Sequence, residues 1–290
     1  MSTSAQDRPR EKVSVWVGAA GVVALAIIGV CYLVGPRIGT SDRWLRESLH
    51  LWLPLCYTHT LFFKCLFMGI AILLALEWWF PAESRERFFS VGLAHDSVWF
   101  LLEGILRVGL VTIYVDWLCR VYDANCGRFT LHALAAYPGW VRLAAAFALS
   151  DFLGWLHHFV RHKVPLFWHF HAVHHSQREL NQFTDLRYHV VDYVLSQPIV
   201  VFPFKVLAID APTVTLFVLA QIWYTRFYHS NVRTNLGWLR YLLVTPQSHR
   251  VHHSRDSRHF DTNFGVHTCL WDRLFGTQFH GANEYPATGI

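Results

Sequence analysis

Residues 140–175 read WVRLAAAFALSDFLGWLHHFVRHKVPLFWHFHAVHH. An apolar run starts at Trp140, carries His158 and His162 at its far end and is stopped by Pro165. Proline stops a helix because it lacks the amide N–H and clashes with the preceding turn. A second cluster, His171-Ala-Val-His174-His175, follows at once, and His249-Arg-Val-His252-His253 repeats its H-x-x-H-H pattern. On a helix, residues three and four apart share a face. His158 and His162 therefore point one way, as do 171, 174 and 175, and again 249, 252 and 253. Adjacent histidines diverge by about 100°, so each H-H pair can reach two different ions. Eight histidines from three segments exceed what one ion can use.

Composition places these clusters in a membrane protein. The chain has 290 residues, 53% hydrophobic and 16% charged, where soluble domains average about 25% charged. Tryptophan favours membrane–water interfaces, and Trp44, Trp52, Trp78 and Trp79 flank apolar runs. The blander reading is a large buried helical core. Uncharged runs near ~20 residues are rare outside membranes.

Working outward, six apolar runs emerge. Val13 to Gly35 is uncharged, and the basic residues Arg37, Arg43 and Arg46 follow it. Leu51 to Phe80 is interrupted by Lys64. Val91 to Leu118 carries Asp96, Glu103 and Arg107, which are expected to face protein because intramembrane charges avoid lipid. Trp140 to His162 is the fourth run; Val190 to Ala208, with Pro198 and Pro203, and Ala211 to Tyr228 are the fifth and sixth. The expected fold is all-α: a multi-pass bundle of about six crossings with a cytosolic, histidine-rich helical cap. With the N-terminus inside, 157–189 and 229–290 share the cytosolic face, so the three clusters can meet. Arg37, Arg43 and Arg46 then sit outside, against the positive-inside tendency, unless that stretch is an interfacial helix.

The net charge is +5, and seven arginines follow Tyr224. They read as topology rather than as a nucleic-acid surface, since no nucleic-acid-binding motif accompanies them. Six scattered cysteines include no C-x-x-C, so no cysteine zinc site is indicated. Cys119 and Cys126 flank a polar stretch, 119–138, and can pair if it faces an oxidising compartment. Imidazole suits zinc, copper, iron and nickel, so ligand type alone leaves the metal open. H-E-x-x-H, a Walker loop and a G-x-S-x-G elbow are absent. A polyhistidine protein that transports or senses zinc or copper is the alternative to an enzyme.

At these boxes the chain resembles the fatty acid hydroxylase / sterol desaturase superfamily of membrane di-iron enzymes, from Asp151 to Thr277. Leu166 to Ser176, with its leading Trp168, is similar to its second box and Thr245 to Ser254 to its third. Arg187-Tyr-His189 resembles its R-x-H element, and His229-Ser-Asn231 its H-x-N element. Asn263-Phe-Gly265 and Trp271 to Thr277 resemble the closing motifs. Phe159 stands where the family usually has Arg, and Val190 where it often has Pro. His157 precedes His158; the H-x-x-x-H spacing and the position of Asp151 select His158.

The resemblance implies an N-terminal transmembrane region over 1–138 and a di-iron domain over 139–290 that includes the last transmembrane hairpin. It implies two iron ions and no haem, dioxygen as oxidant, a lipid C–H bond as target, and electrons from a cytochrome b5 or ferredoxin-type carrier with its reductase. Zinc can replace iron in purified protein. The implied ligands are His158, His162, His171, His174, His175, His189, His229, His249, His252 and His253, with no catalytic residue beyond the metal centre. About twelve octahedral positions would leave one open on each iron. Asp151, Asp185, Asp192, Asn231 and Asp261 are expected just outside the ligands. His169, His259 and His267 fall off the patterns. Arginine far outnumbers lysine and no C-terminal dilysine is present, which favours a bacterial inner membrane over the endoplasmic reticulum.

Overall fold

The structure, a computed structural model, describes residues 59–83, 89–106, 112–209 and 211–290. The Val13–Gly35 run, Arg37, Arg43, Arg46 and the start of the second run lie outside them, as do the side chains of Lys64, Glu103 and Arg107. Nine α-helices are described: α1 (His59–Trp79), α2 (Val91–Leu106), α3 (Thr112–Asn125), α4 (Gly139–Lys163), α5 (Pro165–His175), α6 (Val190–Val206), α7 (Ala211–His229), α8 (Pro246–His252) and α9 (Leu270–Leu274). Among the described residues there is no strand, only isolated bridges such as Leu243 with Thr268 and Ser254 with Thr288.

α4 is the one described helix long and apolar enough, by length and composition, to cross a membrane. Its 25 residues make a rod of ~38 Å, against a hydrocarbon core of ~30 Å. Val164 ends it in extended geometry (φ −100°, ψ 113°), because a residue before proline is pushed out of the helical region. Pro165 then opens α5 at its first turn, where a missing N–H costs nothing. The result is a helical corner that folds α5 back on the end of α4. It brings the first two histidine clusters together.

The remaining elements surround that corner. α6 packs on α4 and α3, and α8 packs on α7. α1 approaches α7 so closely that a Cβ at Gly69 would collide with the Trp223 ring. α9 is held to α4 by an aromatic stack, with Phe152 and Trp271 centroids 4.9 Å apart and Trp155 and Phe275 4.5 Å apart. Burying each such ring stabilises by roughly 1.5–3 kcal/mol. Asp96 faces protein, as expected: it is fully buried and accepts from Asn181 Nδ2 (2.9 Å), Thr184 Oγ1 (2.8 Å) and Arg187 (2.9 Å). These bonds fasten the buried 177–187 loop to α2.

Two details differ from the expectation. Val91–Leu118 is described as two helices, on either side of residues 107–111. The stretch read as polar from 119 is helical through Asn125, where an Asp116–Arg120 ion pair (2.8 Å) and an Asn125 Nδ2 to Val121 carbonyl bond (2.9 Å) support the turn. Cys119 and Cys126 are free thiols. Seven residues of near-helical chain separate them by ~10 Å, beyond the reach of a disulfide.

Candidate metal centre

Four helices deliver nine histidines into two adjoining groups. His158 and His162 of α4, His171 and His175 of α5, and His252 of α8 form one. His174 of α5, His229 of α7, His249 of α8 and His253 just after it form the other. Within each group the nitrogens lie within 4.8 Å of one another. The helical arithmetic explains the division. His171 and His175 are four apart and enter the same group, whereas the neighbours His174 and His175 point into different ones, as do His252 and His253. α8 is set in place by a capping box, in which Thr245 Oγ1 accepts from Ser248 N and Ser248 Oγ from Thr245 N. Such a cap contributes about 1 kcal/mol.

The donor atoms fit metal ions. In the five-histidine group every Nε2 is buried and has no protein partner. An orphaned buried nitrogen costs roughly 1–3 kcal/mol, and five aimed at one space are tolerable when a cation draws them together. In the four-histidine group, Nε2 of His229 lies 2.8 Å from that of His249 and 3.1 Å from that of His174, and those of His249 and His253 are 3.1 Å apart. Facing imidazole nitrogens can share a single proton, so four converging ones again suit a cation. Burial pushes His171, His174, His175, His249 and His253 well below their ordinary value and His252 down to about 4. These imidazoles are neutral near pH 7, the form that binds metal.

Outer partners orient the rings. His158 Nδ1 donates to the Phe264 carbonyl (3.0 Å), His252 Nδ1 to the Thr262 carbonyl (2.8 Å) and His229 Nδ1 to the Thr225 carbonyl (2.7 Å). Asp192 accepts from His171 Nδ1 (3.0 Å) and pairs with Arg161 (2.6 Å). Asp185 lies 3.6 Å from His229 Nδ1. Each bond holds the proton on Nδ1 and turns Nε2 inward.

Other candidate residues lie elsewhere. His189 joins neither group: it caps α6, accepting from Val191 N at 3.2 Å, and its ring lies 4.8 Å from that of Phe170. Asp151 accepts from His267 Nδ1 (3.0 Å) and Trp271 Nε1 (3.0 Å) and touches no grouped histidine. Asn231 binds Glu83 N and Arg250, and Asp261 pairs with Lys163. His259 joins Ser254 to Glu284, and His169 turns back to the Pro165 carbonyl. Sequence reasoning missed Asp272. This buried carboxylate accepts from Phe264 N (2.9 Å), Gly265 N (2.8 Å), Trp155 Nε1 (3.0 Å) and Thr277 Oγ1 (2.6 Å). The Asn263-Phe-Gly265 and Trp271-Asp272 motifs were its only signal.

Residues 143–277 match the fatty acid hydroxylase family, a range that takes in all nine grouped histidines. The chain is similar to the human alkylglycerol monooxygenase, 34% identical over 151 residues, which are 50% of this chain and 32% of that protein. It is also similar to an ornithine lipid hydroxylase of Rhizobium tropici, 27% identical over 154 residues, 53% of this chain and 46% of that protein. A Delta(7)-sterol 5(6)-desaturase of Leptosphaeria maculans is 24% identical over 244 residues, 81% of this chain and 63% of that protein. The chain thus spans less than half the length of the first two relatives. No solved structure matches.

Proposed function

We propose that this protein is a membrane-bound oxidoreductase that uses dioxygen and two iron ions to hydroxylate or desaturate a C–H bond of a lipid. The observation that carries the reading is the pair of buried, imidazole-only groups, five and four residues strong, with Nε2 atoms turned inward. The names of the relatives, a monooxygenase, a hydroxylase and a desaturase, all acting on lipids, support it.

His158, His162, His171, His175 and His252 would hold one ion, and His174, His229, His249 and His253 the other. Bound iron would supply the redox chemistry that activates dioxygen. The chain's own part is to keep nine imidazoles neutral, fix the tautomers of His158, His252, His229 and His171 through Phe264, Thr262, Thr225 and Asp192, and hold the centre at the end of α4. Hydroxylation balances as R–H plus O2 plus two electrons and two protons, giving R–OH and water. Desaturation takes the same two electrons and two protons and yields the alkene and two waters. Either reaction consumes two electrons from outside the substrate, which an external carrier of the cytochrome b5 or ferredoxin type would supply. The proposed setting is a multi-pass protein of six crossings, with the centre on the cytosolic side of a bacterial inner membrane.

Anaerobic loading with ferrous iron, followed by oxygen and a reductant, tests the proposal. The expected result is a coupled di-iron Mössbauer spectrum and oxygen-18 incorporated into, or hydrogen lost from, a lipid. A zinc-loaded sample should be folded and inert, because zinc has no redox chemistry. Zinc movement across vesicles, with no oxidised product from a lipid panel including alkylglycerols, ornithine lipids and sterols, would replace the proposal with a metal-handling role. Reporters fused at residue 85 and after Ile290 should read cytosolic, and one at Asn125 the opposite side.

A further inference from the structure

We propose that the exposed face bearing Arg178, Arg233, Arg255 and Arg258 is the docking surface for a soluble one-electron carrier with an acidic face. The proposal rests on the oxygenase reading, whose stoichiometry demands two electrons per turnover. Each docking would deliver one: the reduced carrier is oxidised by one electron, and two such events, with two protons from solvent and the two electrons drawn from the lipid C–H bond, balance one dioxygen.

Three observations point to this face. The first is nearness to the centre. The Ala287–Gly289 strap lies directly over the backbone that carries His253. Gly289 N donates to the His253 carbonyl (3.2 Å), and Arg255 N to the Ala287 carbonyl (3.1 Å). The strap is therefore hydrogen-bonded to the backbone of a residue whose imidazole belongs to the four-histidine group. The strap depends on Gly289, whose φ of +100° and whose clearance of 2.7 Å between a built Cβ and Arg178 Cγ both exclude a side chain.

The second is charge. Arg178, Arg233 and Arg255 are exposed, and none has an ion-pair partner among the described residues. Arg178 lies along Gly289, Arg255 is bonded to the strap, and Arg233 covers the Tyr285 ring at 4.4 Å. Two carboxylates of this face, Asp256 and Glu284, lean on Arg258 (2.7 and 3.7 Å). The face therefore keeps an excess of positive charge, the complement of an acidic partner, and such complementarity accelerates encounter.

The third is shape. Ser254, the residue after His253, lines an open cleft of about 610 Å³ that reaches Glu284, Tyr285 and Ala287. Its floor is braced by His259, buried between Ser254 Oγ (2.9 Å) and Glu284 (3.1 Å). A concave, basic, braced surface over a redox centre suits a protein that must dock and leave.

The test uses the iron-loaded full chain in nanodiscs of neutral phosphatidylcholine. A [2Fe–2S] ferredoxin and the soluble haem domain of cytochrome b5 serve as acidic probes. Binding of at least one is expected, weakening as salt rises. The Arg178→Glu/Arg255→Glu protein should bind about tenfold or more weakly, with a flattened salt dependence. Arg273→Glu, on α9, should bind like wild type. Product formed with dithionite should be equal in all three proteins, while carrier-driven product falls in the double variant alone. Absence of binding by both probes, binding indifferent to Arg178 and Arg255, or an arginine effect that appears only against anionic lipid vesicles, would overturn the docking surface. Lack of product even with dithionite would instead sink the oxygenase reading, with the binding measurement still deciding the surface.

Discussion

His158 Nδ1 lies 3.0 Å from the carbonyl oxygen of Phe264, and Phe264 N lies 2.9 Å from the carboxylate of Asp272. The same carboxylate takes the indole N–H of Trp155, one turn before His158 on α4. Asp272 thus grips both the carbonyl that orients a ligand and the helix that carries it. Phe264 and Thr262, two residues apart, orient imidazoles that come from α4 and α8.

Asp272→Asn is therefore expected to weaken metal binding in the five-histidine group by about 10–100-fold, the usual cost of losing an outer partner. The four-histidine group should keep its ion. Metal analysis after chelator titration should fall from two ions per chain to one. Loss of both together would mean that Asp272 merely holds the fold.

His157 and His158 are adjacent, and the structure separates them. His157 accepts from Arg161 Nε (3.2 Å) and lies in neither group. His158→Ala should lose turnover and one ion, and His157→Ala should retain both. The opposite outcome would move the first box by one residue.

His189 and His229 were equal candidates in sequence and are unequal in space. His189→Ala removes an N-cap and should cost about 1 kcal/mol of stability, with full metal content. His229→Ala should empty the four-histidine group. Thermal melts and metal counts on the two proteins distinguish these outcomes.

Acid should both release metal and destabilise the fold. His252 titrates near 4 when folded, against an ordinary value of 6.5. Between those values the unfolded chain binds more protons than the folded one, so stability falls as pH drops. Stability due to these imidazoles should be complete above about pH 6.5 and decline toward pH 4. Protons also compete with the metal for Nε2. Melting temperature and bound metal followed from pH 7.5 to 4.5 should fall together; a pH-independent melt would contradict the neutral imidazole cage.

Much of the scaffold was legible in the chain. The apolar run from Trp140, the halt at Pro165 and the restart into His171 correspond to α4, its corner and α5. Side-chain partners were less legible. Asp151, seven residues before His158, faces His267 and Trp271, because its side chain points to the segment packed beside α4 and not toward the centre. Asp192 meets His171 only because α6 packs against the α4–α5 corner. His189 lies outside both groups, at the start of α6, where its Nδ1 caps the helix.

Sequence by itself supplied the candidate donors, their spacing and the divergence of each H-H pair, since a helix converts spacing into direction by local geometry alone. The tertiary structure alone decided that His252 joins α4 and α5 while His249 and His253 join His174 and His229. That division depends on where α7 and α8 dock, a matter of long-range packing. It also decided which rings are fixed by Thr225, Thr262 and Phe264. Every residue carries a carbonyl, so no letter of the chain marks the ones that the fold places 2.7–3.0 Å from an imidazole.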